Sequence, residues 1–260
     1  MDASMWVAKT GLDAQNTRMN VISNNLANVN TTGFKRDRAV FEDLLYQNIR
    51  QAGGQTDTNS QAPTGLMLGT GVKVVATEKL HAQGGMVNSQ NPLDAAISGE
   101  GFFQVAQADG STAYTRDGNF KLSATGQLVT ASGALLVPNV TIPATASSVT
   151  IGRDGSVSVE LTTGGQQVLT PITLARFVNP SGLMAIGQNL MKETPASGAP
   201  TVARPGVGGL GSLMQGTLEA SNVNVVEEMV NMIETQRAYE INSKAISAAD
   251  GMLKYVTQNM

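Results

Sequence analysis

The chain has 260 residues, and its formal net charge of −3 and pI of ≈ 5.2 show no basic footprint of a nucleic-acid-binding domain. It contains no cysteine, which excludes disulfides, thiolate metal sites and a cysteine nucleophile. Charged residues make up only 14%, against roughly 25% in an average soluble protein, which suits a surface covered by neighbours in an assembly and equally a monomeric β-rich protein with polar loops.

The first 30 residues are predicted to form a long helix, because they contain no proline and a single glycine, Gly11. Side chains recur every seven residues in two sets three residues apart, which is the a/d pattern of a coiled coil. The β-branched pair Thr31-Thr32, followed by Gly33, predicts that the helix ends just before it. The two sets are Met5, Leu12, Met19 and Leu26, and Ala8, Gln15, Ile22 and Val29.

Residues 31–65 are predicted to form a connecting arm. A moderately apolar stretch at 41–49 precedes a polar, Gly-rich segment at 51–65. The composition of the polar segment predicts a flexible chain in the free protein.

Residues 66–215 are predicted to form a central antiparallel all-β domain. Short β-branched runs, such as residues 72–77, 102–105 and 156–161, alternate with turn signals every 8–15 residues, and no helical pattern intervenes. Three dipeptides have the composition of hairpin turns. They are Asp109-Gly110, Asp117-Gly118 and Asp154-Gly155.

Residues 221–258 are predicted to form a second long helix, with Asn224 and Glu227 at the spacing of a capping box. Apolar residues again follow a seven-residue spacing, and a second stripe lies beside the first. The stripes are Val225, Met232, Tyr239, Ile246 and Leu253, and Val226, Val230, Ile233 and Ile241. The overall prediction is a mixed α and β fold, in which 1–30 plus 221–260 form a coiled-coil-like helical assembly domain.

The two predicted helices have two possible sets of partners. They could pair only with each other, as an intramolecular hairpin. They could also contact other copies, because a two-helix hairpin with apolar residues on two stripes leaves much apolar surface exposed.

No pattern for catalysis, a cofactor or a metal is convincing. The segment at 206–211 matches G-x-G-x-x-G, but Arg204-Pro205 precedes it where dinucleotide binding requires a buried strand. His81 is the only histidine, and it lacks the partners of a catalytic triad or a zinc site. Neither a cleaved secretory signal nor a membrane-spanning run is predicted. We therefore expect a protein that is not an enzyme.

Sequence motifs at both ends resemble those of the bacterial flagellar rod and hook family. Residues 23–35 (SNNLANVNTTGFK) are similar to the family's N-terminal signature, and residues 221–225 (SNVNV) and 230–240 (VNMIETQRAYE) to its C-terminal one. Residues 99–105 and 114–120 match its central β region. The matching motif residues are Asn24, Asn25, Leu26, Asn28, Gly33, Phe34, Asn222, Asn224, Gln236 and Arg237.

The resemblance implies a structural subunit exported through the flagellar type III apparatus without a cleaved signal. It implies a helical tube with the terminal helices innermost, located in the basal body and spanning the periplasm as far as the outer membrane. The implied partners are further copies of the chain, proximal rod proteins, the hook or a hook-basal-body junction protein, and the peptidoglycan and outer-membrane ring proteins. No small-molecule or nucleic-acid partner is implied.

The resemblance also assigns roles to the helices and the arm. The residues expected to mediate self-assembly are Met5, Leu12, Met19, Ile22, Leu26, Val225, Met232, Ile233, Tyr239, Ile246 and Leu253. A rod must stay straight where the similar hook must bend, so we expect the arm to bridge adjacent subunits, unless it is a solvated loop that tolerates deletion. Its expected anchors are Phe41, Leu44, Leu45 and Tyr46. A proximal rod or hook-type subunit, or a monomeric β-rich binding module, remain the alternatives.

Overall fold

The computed structural model describes residues 3–51, 53, 55–57, 60–61 and 63–258. Both predicted terminal helices are present, as α1 (Ala3–Ala27) and α2 (Val225–Gln258), and the part between them is rich in strands. The prediction of a mixed α and β protein with a helix at each end is confirmed. The chain divides into two compact units: residues 1–26, 37–78 and 224–260 form the helical unit, and residues 27–36 and 79–223 form the β-rich unit.

The strands are numbered in chain order. They are β1 (Asp37–Asp43), β2 (Gln47–Arg50), β3 (Gln55–Asp57), β4 (Ser60–Gln61), β5 (Leu66–Leu68), β6 (Val72–Lys79), β7 (Met86–Asn88), β8 (Ala95–Ser98), β9 (Phe102–Ala106), β10 (Thr112–Thr115), β11 (Phe120–Leu122), β12 (Leu128–Thr130), β13 (Leu135–Val137), β14 (Ala146–Ile151), β15 (Val157–Leu161), β16 (Gln166–Val168), β17 (Leu174–Arg176), β18 (Met184–Gly187), β19 (Leu190–Lys192), β20 (Thr201–Ala203), β21 (Ser212–Gln215) and β22 (Thr217–Glu219). A 3-10 turn covers Pro180–Gly182.

Local chemistry explains where the helices begin and end. The side-chain oxygen of Asn224 accepts hydrogen bonds from the backbone N–H groups of Val226 and Glu227, at 3.0 and 3.5 Å, so the predicted N-cap of α2 is present. After α1, the backbone N–H of Thr31 donates to the carbonyl of Asn28 at 3.1 Å and closes a turn. The predicted helix end therefore lies close to the observed one.

The helical unit contains a two-stranded ribbon as well as the helices. Its pairs are nested, β1 with β6, β2 with β5, and β3 with β4, which is the topology of one long hairpin. The sequence predicts a flexible segment at 51–65 and places residues 72–77 in the central β domain, whereas the structure pairs 72–79 with 37–43. Positions 52, 54, 58–59 and 62 of the predicted arm lie outside the described residues.

The β-rich unit is built around a nine-stranded sheet. Seven strands follow the order β11-β12-β13-β9-β10-β19-β18, β17 also pairs with β9, and β20 pairs with β17. Adjacent residues of β9 point to opposite faces of this sheet. On one face Phe103 packs edge-on against Phe120, with ring centroids 5.0 Å apart, in the main core. On the other face Phe102 joins Tyr114 and Phe177 in a second core. A three-stranded sheet, β14-β15-β16, and the pairs β8–β21 and β7–β22 complete the unit.

The predicted functional division into 1–30 plus 221–260, 31–65 and 66–215 remains a prediction. The compact units group the chain differently, because residues 27–36 belong with the β-rich unit and residues 66–78 belong with the helices.

Candidate assembly surface and motif loop

Residues 27–36 of the β-rich unit, here called the motif loop, contain part of the N-terminal signature. Gly33 has φ +68°, and a methyl group at this position would lie 2.6 Å from the backbone nitrogen of Asp117. Its own N–H donates to the carbonyl of Glu219 at 2.8 Å. The signature therefore requires glycine here for both conformation and space.

The next element of the motif loop is a buried ion cluster. The ammonium of Lys35 donates to Glu219 Oε1 at 2.6 Å and to the carbonyl of Ala82 at 2.8 Å. The guanidinium of Arg116 lies 3.4 Å from Glu219 Oε2, and all three charged side chains are at most 4% exposed. Burial lowers the pKa of Lys35, and the Glu219 carboxylate opposes this shift. The Glu219 carboxylate thus forms ion pairs with two buried cations, and the pair with Lys35 connects the motif loop to β22.

His81 lies close to this cluster, with its ring 5.5 Å from that of Phe102 in an edge-on contact. Burial is the main cause that lowers its pKa to about 4, and the nearby charges of Lys35, Arg116 and Lys79 lower it further. Its Nδ1 has no hydrogen-bond partner. His81 is therefore a neutral packed side chain at physiological pH, which does not indicate a catalytic role.

Two motif asparagines hold the backbone, each within its own unit. In the helical unit Asn25 accepts a hydrogen bond from the N–H of Asp37 at 2.8 Å, and donates to its carbonyl at 2.9 Å and to Glu228 Oε2 at 3.3 Å. In the β-rich unit Asn222 accepts from the N–H of Arg36 at 2.7 Å and donates to the carbonyl of Leu80 at 2.8 Å. Both asparagines serve the fold of their unit, because their polar groups are used inside it.

Within the helical unit, α1 and α2 pack antiparallel. Asn25 bonds Glu228 near one end of the pair, and a methyl group at Gly11 would meet the Asn242 side chain at 3.0 Å further along. The most buried positions of this packed face of α2 follow a seven-residue spacing and are polar or small: Glu228 (1% exposed), Thr235 (0%) and Ala249 (7%). Asn242, Met232 and Ile246 on the same side of the helix are half-buried.

The apolar residues of α2 lie largely outside this packed face. In the first half of the helix four apolar side chains at positions i, i+3, i+4 and i+7, which share one helix face, are each about half exposed or more. They are Val226 (70%), Met229 (52%), Val230 (50%) and Ile233 (49%). We call these four residues the outer stripe. Gln236 and Arg237 of the C-terminal signature are exposed on the same helix.

The ribbon of the helical unit also exposes apolar side chains. Leu45 is 90% exposed and Tyr46 58%. The partner strand β5 adds Leu66, Met67 and Leu68, all more than 40% exposed. Fully burying an exposed side chain of this kind contributes roughly 1.5–3 kcal/mol. Covering Leu45 would therefore approach that value, and covering the half-exposed side chains would contribute less.

The residues predicted for self-assembly and for the arm differ in how deeply they are buried. Ile22 is buried; Met5, Leu12, Met19, Leu26, Met232, Ile246, Phe41 and Leu44 are half-buried; Val225, Ile233, Tyr239, Leu253, Leu45 and Tyr46 are exposed. Among the motif residues Asn25, Gly33 and Phe34 are buried, Asn28 and Asn222 are half-buried, and Asn24, Asn224, Gln236 and Arg237 are exposed. Sequence reasoning missed Arg116 and Glu219, because no local pattern connects them to Lys35.

No group of three or more acidic or histidine side chains among the described residues is placed to hold a metal ion. In the same part of the chain, neither helix is apolar enough over a sufficient length to cross a membrane.

Comparison with known proteins identifies three family models along the chain. They are "Flagella basal body rod protein" at residues 5–35, "Flagellar hook protein FlgE/F/G D1 domain" at 96–159 and "Flagellar basal body rod FlgEFG protein C-terminal" at 214–259. The flagellar basal-body rod protein FlgG of Buchnera aphidicola from Acyrthosiphon pisum is 54% identical over 99% of this chain and 100% of its own. The FlgG proteins of Borreliella burgdorferi and Bacillus subtilis are 47% and 39% identical, covering 97% and 96% of both chains respectively. The chain therefore belongs to the family of flagellar basal-body rod proteins, which are structural proteins and not enzymes.

Proposed function

We propose that this chain is a subunit of the distal rod, which self-assembles into a straight helical tube and transmits torque from the motor to the hook. The full-length similarity to FlgG proteins supports a rod subunit. Residues 9–15 (KTGLDAQ) and 39–47 (AVFEDLLYQ) resemble the distal rod protein more than its proximal or hook relatives.

The observation that carries this proposal is the distribution of polarity on α2. The most buried positions of its packed face are polar or small, whereas Val226 and Ile233 of the outer stripe are 70% and 49% exposed. Removing apolar surface from water releases about 25 cal/mol per Å². A neighbouring copy that covers the outer stripe therefore supplies association energy, and a heterologous contact that does not close generates a helix of subunits.

Electron microscopy of the concentrated full-length protein tests the proposal. We expect straight tubes, and the concentration needed to form them should rise at least tenfold for Ile233→Asp. Ser243→Asp, an exposed change on the same helix, is the matched control. A protein that remains monomeric and binds a separate ligand through its β-rich unit would instead support the binding-module alternative.

A finer part of the proposal concerns the arm, with Phe41, Leu44, Leu45 and Tyr46 as its anchors between subunits. Leu44 is tied to the ribbon through its N–H, which donates to the carbonyl of Gly71 at 2.9 Å, while Leu45 beside it is 90% exposed. Because Leu44 is already hydrogen-bonded within the ribbon, the adjacent side chains lose less conformational entropy when they contact a neighbouring subunit.

Deleting residues 46–63 tests whether the arm makes the tube stiff. It also bears on the alternative of a proximal rod or hook-type subunit, whose assembly need not depend on this arm. We expect curved or polymorphic tubes from the deletion variant, with an unchanged circular dichroism signal from the β-rich unit. Tubes as straight as those of the parent would show that the arm does not brace the polymer.

We further propose the partners and location of this subunit. Its neighbours would be copies of itself, proximal rod proteins, the hook or a junction protein, and the peptidoglycan and outer-membrane rings. It would reach the periplasm through the type III export apparatus without a cleaved signal. Cross-linking in intact flagellated cells, followed by identification of the attached proteins, tests each neighbour separately.

A further inference from the structure

The first turns of α1 carry an exposed patch that combines apolar surface with a positive charge. Trp6 is 44% exposed and Val7 38%. Lys9 is exposed beside them, with its ammonium 5.5 Å from the centre of the Trp6 ring. It is the one charged residue between positions 3 and 12 of the sequence. We call Trp6, Val7 and Lys9 the Trp6 patch.

The outer stripe of α2 is also apolar, and its neighbouring charges have the opposite sign. Glu227 and Glu234, which directly follow its first and last residues, are exposed. No lysine or arginine lies between Arg204 and Arg237. The next charges along the two helices, Asp13 after the Trp6 patch and Arg237 after the stripe, are again opposite to each other. The two surfaces are therefore complementary in both polarity and charge.

One chain cannot bring the Trp6 patch and the outer stripe together. The helices pack antiparallel, and Asn25 bonds Glu228 at the level of the stripe, at 3.3 Å. Trp6 lies on α1 about 28 Å from Asn25 along the helix axis, at a rise of roughly 1.5 Å per residue. No side chain spans this distance, so a Trp6 patch that covers the stripe must belong to another copy.

We infer that the Trp6 patch of one copy covers the outer stripe of a second copy. The two surfaces lie at opposite ends of the helix pair, so the contact is heterologous and adds copies end to end without closing a dimer. The inference rests on the proposed function and names the surface that covers the outer stripe. Apolar burial supplies most of the affinity, and the charge of Lys9 selects the acidic stripe over other apolar surfaces.

The ribbon of another copy is the strongest competing partner for the stripe, because Leu45 is 90% exposed and Tyr46 58%. The charges next to them are two acids, Glu42 and Asp43, and one base, Arg50. The net charge of this part of the ribbon thus has the same sign as that of the stripe, and its partner strand β5 carries no charge. Charge complementarity therefore favours the Trp6 patch.

Cysteine cross-linking of two full-length variants tests the contact directly, because the chain has no cysteine of its own. One variant carries Val7→Cys and the other Val230→Cys. The mixture is assembled and treated with a bis-maleimide much shorter than the separation of the two positions within one chain. We expect a mixed dimer only when both variants are present, and a ladder of multimers from the double variant. In the control Ser243→Cys, an exposed position elsewhere on α2, replaces Val230→Cys.

Two outcomes of the cross-linking would overturn the inference. One is a yield of mixed dimer no higher than that of the Ser243→Cys control. The other is stronger capture of Val230→Cys by Leu45→Cys than by Val7→Cys, which would assign the stripe to the ribbon.

Trp6 also reports on the contact without modification, because it is the only tryptophan of the chain. Its fluorescence emission should move to shorter wavelength when the parent protein assembles, since the indole ring leaves water. Lys9→Glu should raise the concentration needed for assembly by about two- to fivefold, as expected for an exposed charge. Lys121→Glu, the same reversal at an exposed position of the β-rich unit, is its matched control. Emission that does not change on assembly, or equal effects of the two reversals, contradicts the contact.

Electron micrographs of the same samples report on the proposed function separately. Tubes that form without the mixed dimer and without the emission shift leave the rod proposal intact and remove the contact between the Trp6 patch and the outer stripe. Absence of tubes from the parent chain, even with the mixed dimer present, contradicts the rod proposal instead.

Discussion

Replacing Glu219 with Gln should strongly destabilise the β-rich unit. The substitution keeps the side chain's shape and an oxygen that can accept the hydrogen bond from the N–H of Gly84, now 2.9 Å long. It removes the negative charge that lies 2.6 Å from Lys35 and 3.4 Å from Arg116. Leaving a buried charge without its counter-ion costs about 3–5 kcal/mol.

Two control variants separate charge from packing. Lys35→Met leaves Glu219 with Arg116, so we expect a smaller loss of about 1–3 kcal/mol. Glu100→Gln breaks the exposed pair with Arg176, now 2.8 Å apart, and should cost no more than about 1 kcal/mol.

Urea unfolding of the monomer, followed by far-ultraviolet circular dichroism, measures all three free energies. Thermal melts provide a second measure, with a decrease in Tm on the order of 10 °C expected for Glu219→Gln. If Glu219→Gln lowers the free energy of unfolding no more than Glu100→Gln does, the carboxylate does not hold the two cations and the reasoning is wrong.

Three further predictions concern stability and assembly. Because the pKa of His81 falls from 6.5 to about 4 on folding, the unfolded chain binds a proton that the folded chain does not in this range. The His81 contribution to stability should therefore decrease by roughly 3 kcal/mol as pH falls from 6.5 to 4, and His81→Gln should remove that part of the slope in pH-dependent urea titrations. Gly33→Ala should cost more than about 2 kcal/mol, whereas Gly164→Ala, at a similar φ of +78° but with open space around it, should cost about half as much; equal losses in urea unfolding would exclude the steric clash. Ile233→Asp should leave the thermal melt within 2–3 °C of the parent while blocking motility, and full motility would show that the outer stripe is not an interface.

Local signals predicted the helices and many turns. Asn224 identified the start of α2 because a cap is a local interaction. Asp109 likewise identified the β9–β10 hairpin, where its carboxylate accepts a hydrogen bond from the N–H of Ser111 at 2.9 Å. Burial of the two β9 phenylalanines on opposite faces also follows from the period of a strand.

Distant partners account for what the sequence could not predict. Asp117-Gly118 has hairpin composition, yet β10 and β11 are not paired. A methyl group at Gly118 would lie 1.7 Å from the carbonyl oxygen of Ala95, so this glycine permits close packing instead. In the same way, the partner of β1 is the distant strand β6, which no local pattern connects to it.

The helix pair shows why a seven-residue periodicity alone does not tell which face of α2 packs against α1. A seven-residue pattern of apolar residues on α2 suggests that these residues pack against α1, but the positions buried there include Glu228 and Thr235. Buried polar contacts such as the one from Asn25 to Glu228 contribute little net stability, although they can specify one register over others. A hairpin that buried its apolar residues internally would gain little from further contacts. This pair instead has polar groups such as Asn25 and Glu228 between its helices and leaves apolar side chains of α2 exposed. In the proposed rod a neighbouring copy would cover these side chains, so joining the polymer would raise the stability of the subunit.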